Sequence, residues 1–220
     1  MNNEAILDLF GMENPEPKHN NKSIIKSISY EQKEIIYNIL QLHCKDKVIE
    51  LDPTFSSGEF YKDAPYSKPL KKYDLFPKTP DIIKATANDL PLDDNSICCM
   101  MFDPPFIVGH TKDKPTGKIG KRFHGFATIE EMWKWYHLCL KEFYRILKHK
   151  GILIFKCQDT VSRGKQFLSH VDILNKASDI GFYNKDLFVL LANSRMIGHN
   201  HHKQKHARKF HSYFLVLQKT

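Results

Sequence analysis

Apolar residues recur with two different periods along the chain, and their alternation predicts its architecture. SYEQKEIIYNILQLHCK (29–45) sets Ile35, Ile36, Ile39, Leu40 and Leu42 at helical spacing behind a serine, which predicts an amphipathic helix capped by Ser29. KVIELDPT (47–54) predicts a buried strand, and FSSGEFYKD (55–63) a tight turn into a short helix. LKKYDLF (70–76) reads as a second strand, and TPDIIKATANDLPL (79–92) as a short helix and a third strand. SICCMMFD (96–103) is a continuous apolar run, as expected of a central parallel strand. TIEEMWKWYHLCLKEFYRILK (128–148) predicts a long helix with Thr128 as its cap and Glu131 three residues on. GILIFKCQD (151–159) predicts another buried strand. GKQFLSHVDILNKASDIGF (164–182) predicts a helix stopped by Gly181. KDLFVLLAN (185–193) and HSYFLVLQK (211–219) predict the last two strands.

Strands that alternate with helices imply an α/β fold with a doubly wound, mostly parallel sheet. The last two strands follow one another without a clear helix between them, which predicts an antiparallel last strand. Residues 1–27 read as a flexible or short N-terminal arm, and 28–220 as a single domain with no separate target-recognition domain. In such a sheet ligands bind at the carboxyl ends of the parallel strands. Those ends are expected at Asp52, Asp74, Asp103, Cys157 and Ala192, all on one edge.

Composition adds a location for charge. The chain has 220 residues, 41% hydrophobic and 26% charged, ordinary values for one globular domain. No apolar run approaches the ~20 residues of a membrane span. The first residues, MNNEAILDLFGMENPEPKHNNKS, lack the layout of a signal peptide, so an intracellular, cytoplasmic protein without a membrane partner is expected. The five cysteines, Cys44, Cys98, Cys99, Cys139 and Cys157, read as reduced core residues. Of the net charge of +8, the stretch 107–126 carries +4 and the stretch 193–211 carries +5. Two basic loops on the ligand edge point to a polyanionic partner. The alternative is a solvated lysine-rich surface.

Two short stretches carry the chemistry. LDPTFSSGEF puts Asp52 at a strand tip, then a small-residue turn and Gly58 before a helix. Small residues let a ligand approach the backbone, but a carboxylate there repels phosphate and suits a cation. Asp74 stands at the next strand tip, where an acid can hold ribose hydroxyls, although a solvated acid is the plainer reading. A cationic end, a ribose and an adenine together describe S-adenosylmethionine. FDPPF ends the central strand in a stiff corner, because Pro104 and Pro105 cannot continue a ladder. Elsewhere, HNHHKQKH groups His199, His201, His202 and His206, but without the helical spacing of a metal pair; no metal is expected there. Trp133 and Trp135, two apart, cannot share a helix face, so one belongs to the core and the other covers a loop. Lys156 and Asp159 at the fifth strand tip either face the substrate or are structural.

LDPTFSSGEFY resembles the first motif of S-adenosylmethionine-dependent class I methyltransferases, and FDPPF resembles the Asp-Pro-Pro-aromatic motif of those that methylate exocyclic amino groups of bases. The adenine-N6 and cytosine-N4 DNA methyltransferases are the most similar group. NDLPLDDNSICCMMFDPPF matches the group's acidic-then-apolar run into that motif, and the likeness extends from about residue 35 to the end. The resemblance implies a Rossmann-like, seven-stranded sheet and S-adenosylmethionine as cofactor. It implies that Asp52, Pro53, Thr54, Phe55, Ser56 and Gly58 line the cofactor's methionine part. Asp74 would take the ribose, and Asn88 or Asp89 would approach the adenine. Asp103, Pro104, Pro105 and Phe106 would form the catalytic corner. The chain departs from the group in having Thr54-Phe55-Ser56-Ser57 where a glycine-rich core is usual, and Thr86 where an acid is common.

The function expected is methyl transfer to an exocyclic amine of a nucleic-acid base, adenine N6 in DNA first, adenine in RNA second. Lys118, Lys121, Arg122, Lys203, Lys205 and Arg208 would bind the nucleic acid, with Phe123, Phe126, His124, His206 and Phe210 interleaved for stacking. Target reading falls to these loops, to a homodimer or to a partner subunit, or else sequence specificity is low. Two other classes remain open: a non-catalytic nucleic-acid-binding subunit with a relic pocket, and an enzyme acting on a protein side-chain amide. Cytosine-C5 chemistry is excluded, because it needs a Pro-Cys nucleophile that the chain lacks.

Overall fold

The computed structural model describes residues 24–106, 108–109, 125–194 and 205–220. Its main sheet is built from β1 (Ile28–Ser29), β2 (Leu51–Asp52), β3 (Lys71–Asp74), β4 (Ile83–Lys84), β5 (Ile97–Phe102), β6 (Leu147–Cys157), β9 (Phe182–Leu191) and β10 (His211–Lys219). The order across the sheet is β1-β9-β10-β6-β5-β2-β3-β4. Only β10 runs against its neighbours, pairing antiparallel with β6 and β9. The fold is therefore the doubly wound, mostly parallel α/β sheet with an antiparallel last strand that the pattern predicts. The sheet has eight strands rather than seven, because Ile28–Ser29 adds a short edge strand parallel to β9.

Helix α1 (Gln32–His43) covers one face, and α2 (Ile129–Ile146) and α3 (Ser169–Ile180) cover the other. The period-2 alternation of β5 divides its side chains between them. Cys99 and Met101 join Ile35, Ile36, Ile39 and Leu40 of α1. Met100 and Phe102 join Met132, Tyr136, Leu140 and Phe143 of α2. Burial of one such large side chain stabilises the fold by about 1.5–3 kcal/mol. Continuing the alternation by one residue places Asp103 on the α1 face, and in β6 the same count puts Lys156 there, beside Gln32 of α1.

Local chemistry explains where the elements depart from expectation. Ser29 is not the cap of α1. It lies in β1, and its hydroxyl accepts the N–H of Glu31, the residue in the cap position. Residues 79–82 form a turn and not a helix, since Pro77 and Pro80 remove donors and Asp81 is held by Lys72 at 2.7 Å. Residues 164–167 are not the start of α3. Thr160–Ser162 (β7) and Lys165–Phe167 (β8) form a hairpin, with Arg163 and Gly164 both at positive φ (48° and 73°), the backbone a two-residue turn requires. The other signals hold. Thr128 accepts the N–H of Glu131 at the start of α2, and Gly181 ends α3 at φ 119°. Every described cysteine is a free thiol, and Cys98 alone is half-exposed. No helix among the described residues is long and apolar enough to cross a membrane.

Candidate active site at the carboxyl edge of the sheet

Three strand tips meet where β2, β3 and β5 end. Asp52 is buried, 1% exposed. Its Oδ1 accepts the Thr54 N–H (2.8 Å) and hydroxyl (3.2 Å), and its Oδ2 accepts the Tyr61 hydroxyl (2.7 Å). The Thr54 hydroxyl in turn accepts the Asp103 N–H at 3.0 Å, so one side chain ties the two tips together. Burial lifts the Asp52 carboxyl from 3.8 to about 7, against the pull of the Tyr61 and Thr54 hydrogen bonds, and the Asp103 charge adds to the rise. A buried acid under this load is an attractive seat for a cation. Tyr61, in the 3₁₀ turn Glu59–Tyr61, was not singled out by the sequence reading. Its signal is an aromatic three residues after Gly58, which reads equally well as core.

Asp74 is held by the turn that follows β2. Its Oδ2 accepts the Ser56 N–H and its Oδ1 the Phe76 N–H, each at 2.8 Å, which leaves further lone pairs for a ligand hydroxyl. Gly58 is required twice over here. Its φ is 70°, and a Cβ would lie 2.6 Å from the Phe55 ring. Phe55 stacks on Tyr61 with ring centroids 5.4 Å apart, so displacing it would disturb the hydroxyl on Asp52. Gly58→Ala is expected to lower stability by at least ~1 kcal/mol, a fall in Tm of roughly 2–4 °C for a chain of this size, read by thermal unfolding. An unchanged Tm would show that the turn relaxes without cost.

The Asp-Pro-Pro-Phe corner is braced from α2. The Tyr136 hydroxyl donates to the Pro105 carbonyl at 2.9 Å, and Phe106 packs partly into the core beneath. The Asp103 side chain is 23% exposed, but its Oδ1 is buried with no hydrogen-bond partner among the described residues. Burial raises the proton affinity of this carboxyl, and the Lys156 ammonium, 3.5 Å from Oδ1, opposes the rise. The structure thus brings Asp52, Thr54, Asp103 and Lys156 to one point.

The segment that carries Asn88 and Asp89 is clamped to α2. Arg145 bonds the Leu90 and Leu92 carbonyls and Glu142, while Glu142 accepts the Leu90 N–H. The Asn88 side-chain Oδ1 accepts the Trp135 indole N–H at 3.1 Å and the Thr86 hydroxyl, whereas the Asp89 side chain is exposed. Both tryptophans are partly buried, Trp133 against Phe167 and Trp135 against Phe102. Phe126, expected to be available for stacking on a base, instead packs on Trp135 and Tyr136. An aromatic beside a run of charges cannot be assigned to loop or core by composition, and here the core claims it.

Of the proposed nucleic-acid contacts, Lys118, Lys121, Arg122 and Lys203 lie outside the described residues, as do Phe123, His124, His199, His201 and His202. Lys205 and Arg208 are exposed. The His206 ring bonds the Gly164 carbonyl at 2.8 Å, which rests this loop on the β7–β8 hairpin. The hairpin adds exposed Arg163 and Lys165, basic residues that the sequence reading missed by placing them in and before a helix. Asp159 is buried and bonds the Nδ1 and backbone N–H of His170, so it fastens the start of α3. Among the described residues, one group of three has metal-ligand spacing: Asp46, Glu50 and Cys98. It sits at the amino ends of β2 and β5, across the sheet from the three tips.

The fold and these tips define a doubly wound α/β protein with an acid-lined carboxyl edge. Comparison with known proteins finds no matching family model and no matching curated protein. Among solved structures, the chain is similar to a protein of Thermus thermophilus provisionally described as a DNA modification methylase, at 18% identity and TM-score 0.42 over 60% of this chain. It is similar to the cytosine-N4-specific PvuII DNA methyltransferase at 17% identity and TM-score 0.44, covering 59% of this chain and 45% of that one. A third likeness, at 14% identity and TM-score 0.45, is to the complex of the Haloferax volcanii Trm112 methyltransferase activator with a protein provisionally described as a methyltransferase, covering 78% of this chain and 84% of the other. The match to the Thermus protein spans 50% of that protein's length.

Proposed function

We propose that the chain is an S-adenosylmethionine-dependent methyltransferase acting on an exocyclic amino group of a nucleic-acid base, with adenine N6 in DNA as the leading acceptor. The observation that carries the reading is the pairing at one edge of a buried acid suited to a cation, Asp52, with a second carboxylate, Asp103, whose buried oxygen has no hydrogen bond among the described residues. Asp52 and the Ser56–Gly58 turn would hold the cofactor's charged end, and Asp74 its ribose hydroxyls. When bound, the cofactor supplies an electrophilic methyl group on a sulfonium. Methyl transfer to the amine would leave the sulfur with the electron pair of the broken S–C bond, and Asp103 would take the proton that the methylated nitrogen releases and pass it to solvent. Asp103 and the Pro104 carbonyl would accept the two amine hydrogens. They turn the nitrogen toward a tetrahedral shape in which its lone pair is no longer delocalised. The two prolines keep these acceptors in place, so little reorganisation is needed.

Incubation with methyl-labelled S-adenosylmethionine and separate DNA and RNA pools, followed by mass identification of the modified nucleoside, tests this directly. N6-methyladenosine in the RNA pool alone would move the assignment to RNA. Failure of the chain to bind the cofactor would favour a non-catalytic subunit. The basic loops give a second test. Replacement of Lys203, Lys205 and Arg208 with Ala is expected to weaken nucleic-acid binding similarly across sequences. It should also reduce the log–log salt slope by roughly 0.7–0.9 for each phosphate that is no longer neutralised. An unchanged slope would make this loop a solvated surface.

A further inference from the structure

We propose that Lys156 is the positioning counter-ion of Asp103: from the neighbouring strand it keeps the carboxylate ionised without occupying the oxygen that receives the substrate amine, and so sets the acid limit of the reaction. The inference rests on the reading of Asp103 as an amine acceptor given above.

The geometry is specific. Phe102 pairs with Phe155, which sets Asp103 and Lys156 side by side at the ends of adjacent strands. The Lys156 ammonium is 3.5 Å from the buried Asp103 Oδ1, near enough for strong charge attraction but at the outer limit of a hydrogen bond, and the 23% of the side chain that stays exposed is left to the substrate amine. A lysine free to move would close that gap. This one is held back from α1 and from the turn after β2. Its ammonium donates to Gln32 Oε1 at 2.9 Å and lies 4.8 Å from the centre of the Phe60 ring. Its side chain is 12% exposed, so solvent screens the pair weakly.

The surrounding charges make such a partner necessary. Among the described residues, the titratable groups around Asp103 are Asp52 at the tip of β2, the Tyr136 hydroxyl from α2 and Lys156 from β6, while α1 contributes the neutral Gln32. Lys156 is the only cation among these, and burial favours protonation of Asp103. A protonated Asp103 loses the charge that draws on the amine hydrogens. Loss of Lys156 would therefore move the ionisation of Asp103 upward in pH.

The test follows Asp103 itself as well as turnover. Carboxyl resonances of the full-length protein, labelled at aspartate, are titrated by NMR, with Asp103→Asn supplying the assignment. Lys156→Met is expected to raise the Asp103 midpoint by on the order of one pH unit or more. The acid limb of kcat/KM should move by the same amount, a roughly tenfold or larger loss of rate on the acid side and a much smaller one on the alkaline plateau. Lys156→Arg should restore most of both, and Lys156→Gln, checked for folding by circular dichroism, gives the same comparison if the Met variant does not fold. An Asp103 midpoint equal in wild type and the folded neutral variants overturns the proposal. A midpoint that moves in the variants of a chain with no methyl transfer to either pool supports the ion pair and overturns the methyl-transfer reading instead.

Discussion

Asp103→Ala should lower methyl transfer by two to three orders of magnitude while leaving S-adenosylmethionine affinity within about threefold of wild type. The size follows from losing one preorganised polar partner in a site where charge develops, a loss that costs roughly 10²–10³ in kcat when a single hydrogen-bond donor to an oxyanion is removed. Its selectivity follows from position. The Asp103 link to the cofactor side runs through its backbone N–H to Thr54, which alanine retains, whereas the carboxylate lies against Lys156 of the neighbouring strand. The effect should therefore appear in kcat and kcat/KM alike, as expected for an interaction made mainly in the transition state. Single-turnover rates on the identified nucleic acid, with cofactor titration by calorimetry, separate the two quantities. Wild-type turnover in Asp103→Ala would show that the corner acts in some other way.

Cofactor affinity should fall about tenfold for each pH unit below about 7 in the wild type, and this dependence should vanish in Asp52→Asn. Burial holds the Asp52 carboxyl at about 7, so near neutral pH a large share of the empty protein carries the proton. A cationic ligand favours the ionised form, and its binding must then release that proton. Calorimetry in buffers of different ionisation enthalpy reads the release directly. The same shift acts on stability. The folded carboxyl holds its proton more tightly than the unfolded one, so stability falls as pH rises from about 4 to about 7, and above about 7 the whole burden remains. Each pKa unit is about 1.4 kcal/mol, so the burden is of the order of a few kcal/mol. Asp52→Asn should accordingly melt higher than wild type at pH 8 and bind the cofactor more weakly there. A variant that melts no higher, with pH-independent wild-type binding, would remove Asp52 from both roles.

Periodicity alone carried much of the architecture. The continuous apolar run of 96–103 has the pattern of a strand covered on both faces, and Ile35, Ile36, Ile39 and Leu40 lie at the spacing that buries one face of a helix. Both outcomes follow from side-chain direction relative to the backbone, which is a local property. The acid at each strand tip, the stiff Pro104-Pro105 corner and the glycine before the first turn were legible for the same reason. Each marks a backbone that stops or bends within a few residues. The hairpin at 160–167 was missed because its signal, Arg163-Gly164 at positive φ, competes with a helical pattern that begins just beyond it. Edge strand Ile28–Ser29 was missed because two residues have no period.

Only the tertiary structure could decide which side chains meet across the sheet. Tyr61 on Asp52, Tyr136 on Pro105 and Lys156 beside Asp103 join residues 9, 31 and 53 positions apart. Phe126 joined the core rather than the loop for a similar reason, since Trp135 and Tyr136 offered a place that composition does not reveal. Strand order and register make these neighbours, and both are set by the packing of the whole sheet against its helices. A residue's chemistry can be read from its letter and its local bend. The load on a buried carboxylate depends on what the rest of the chain places against it.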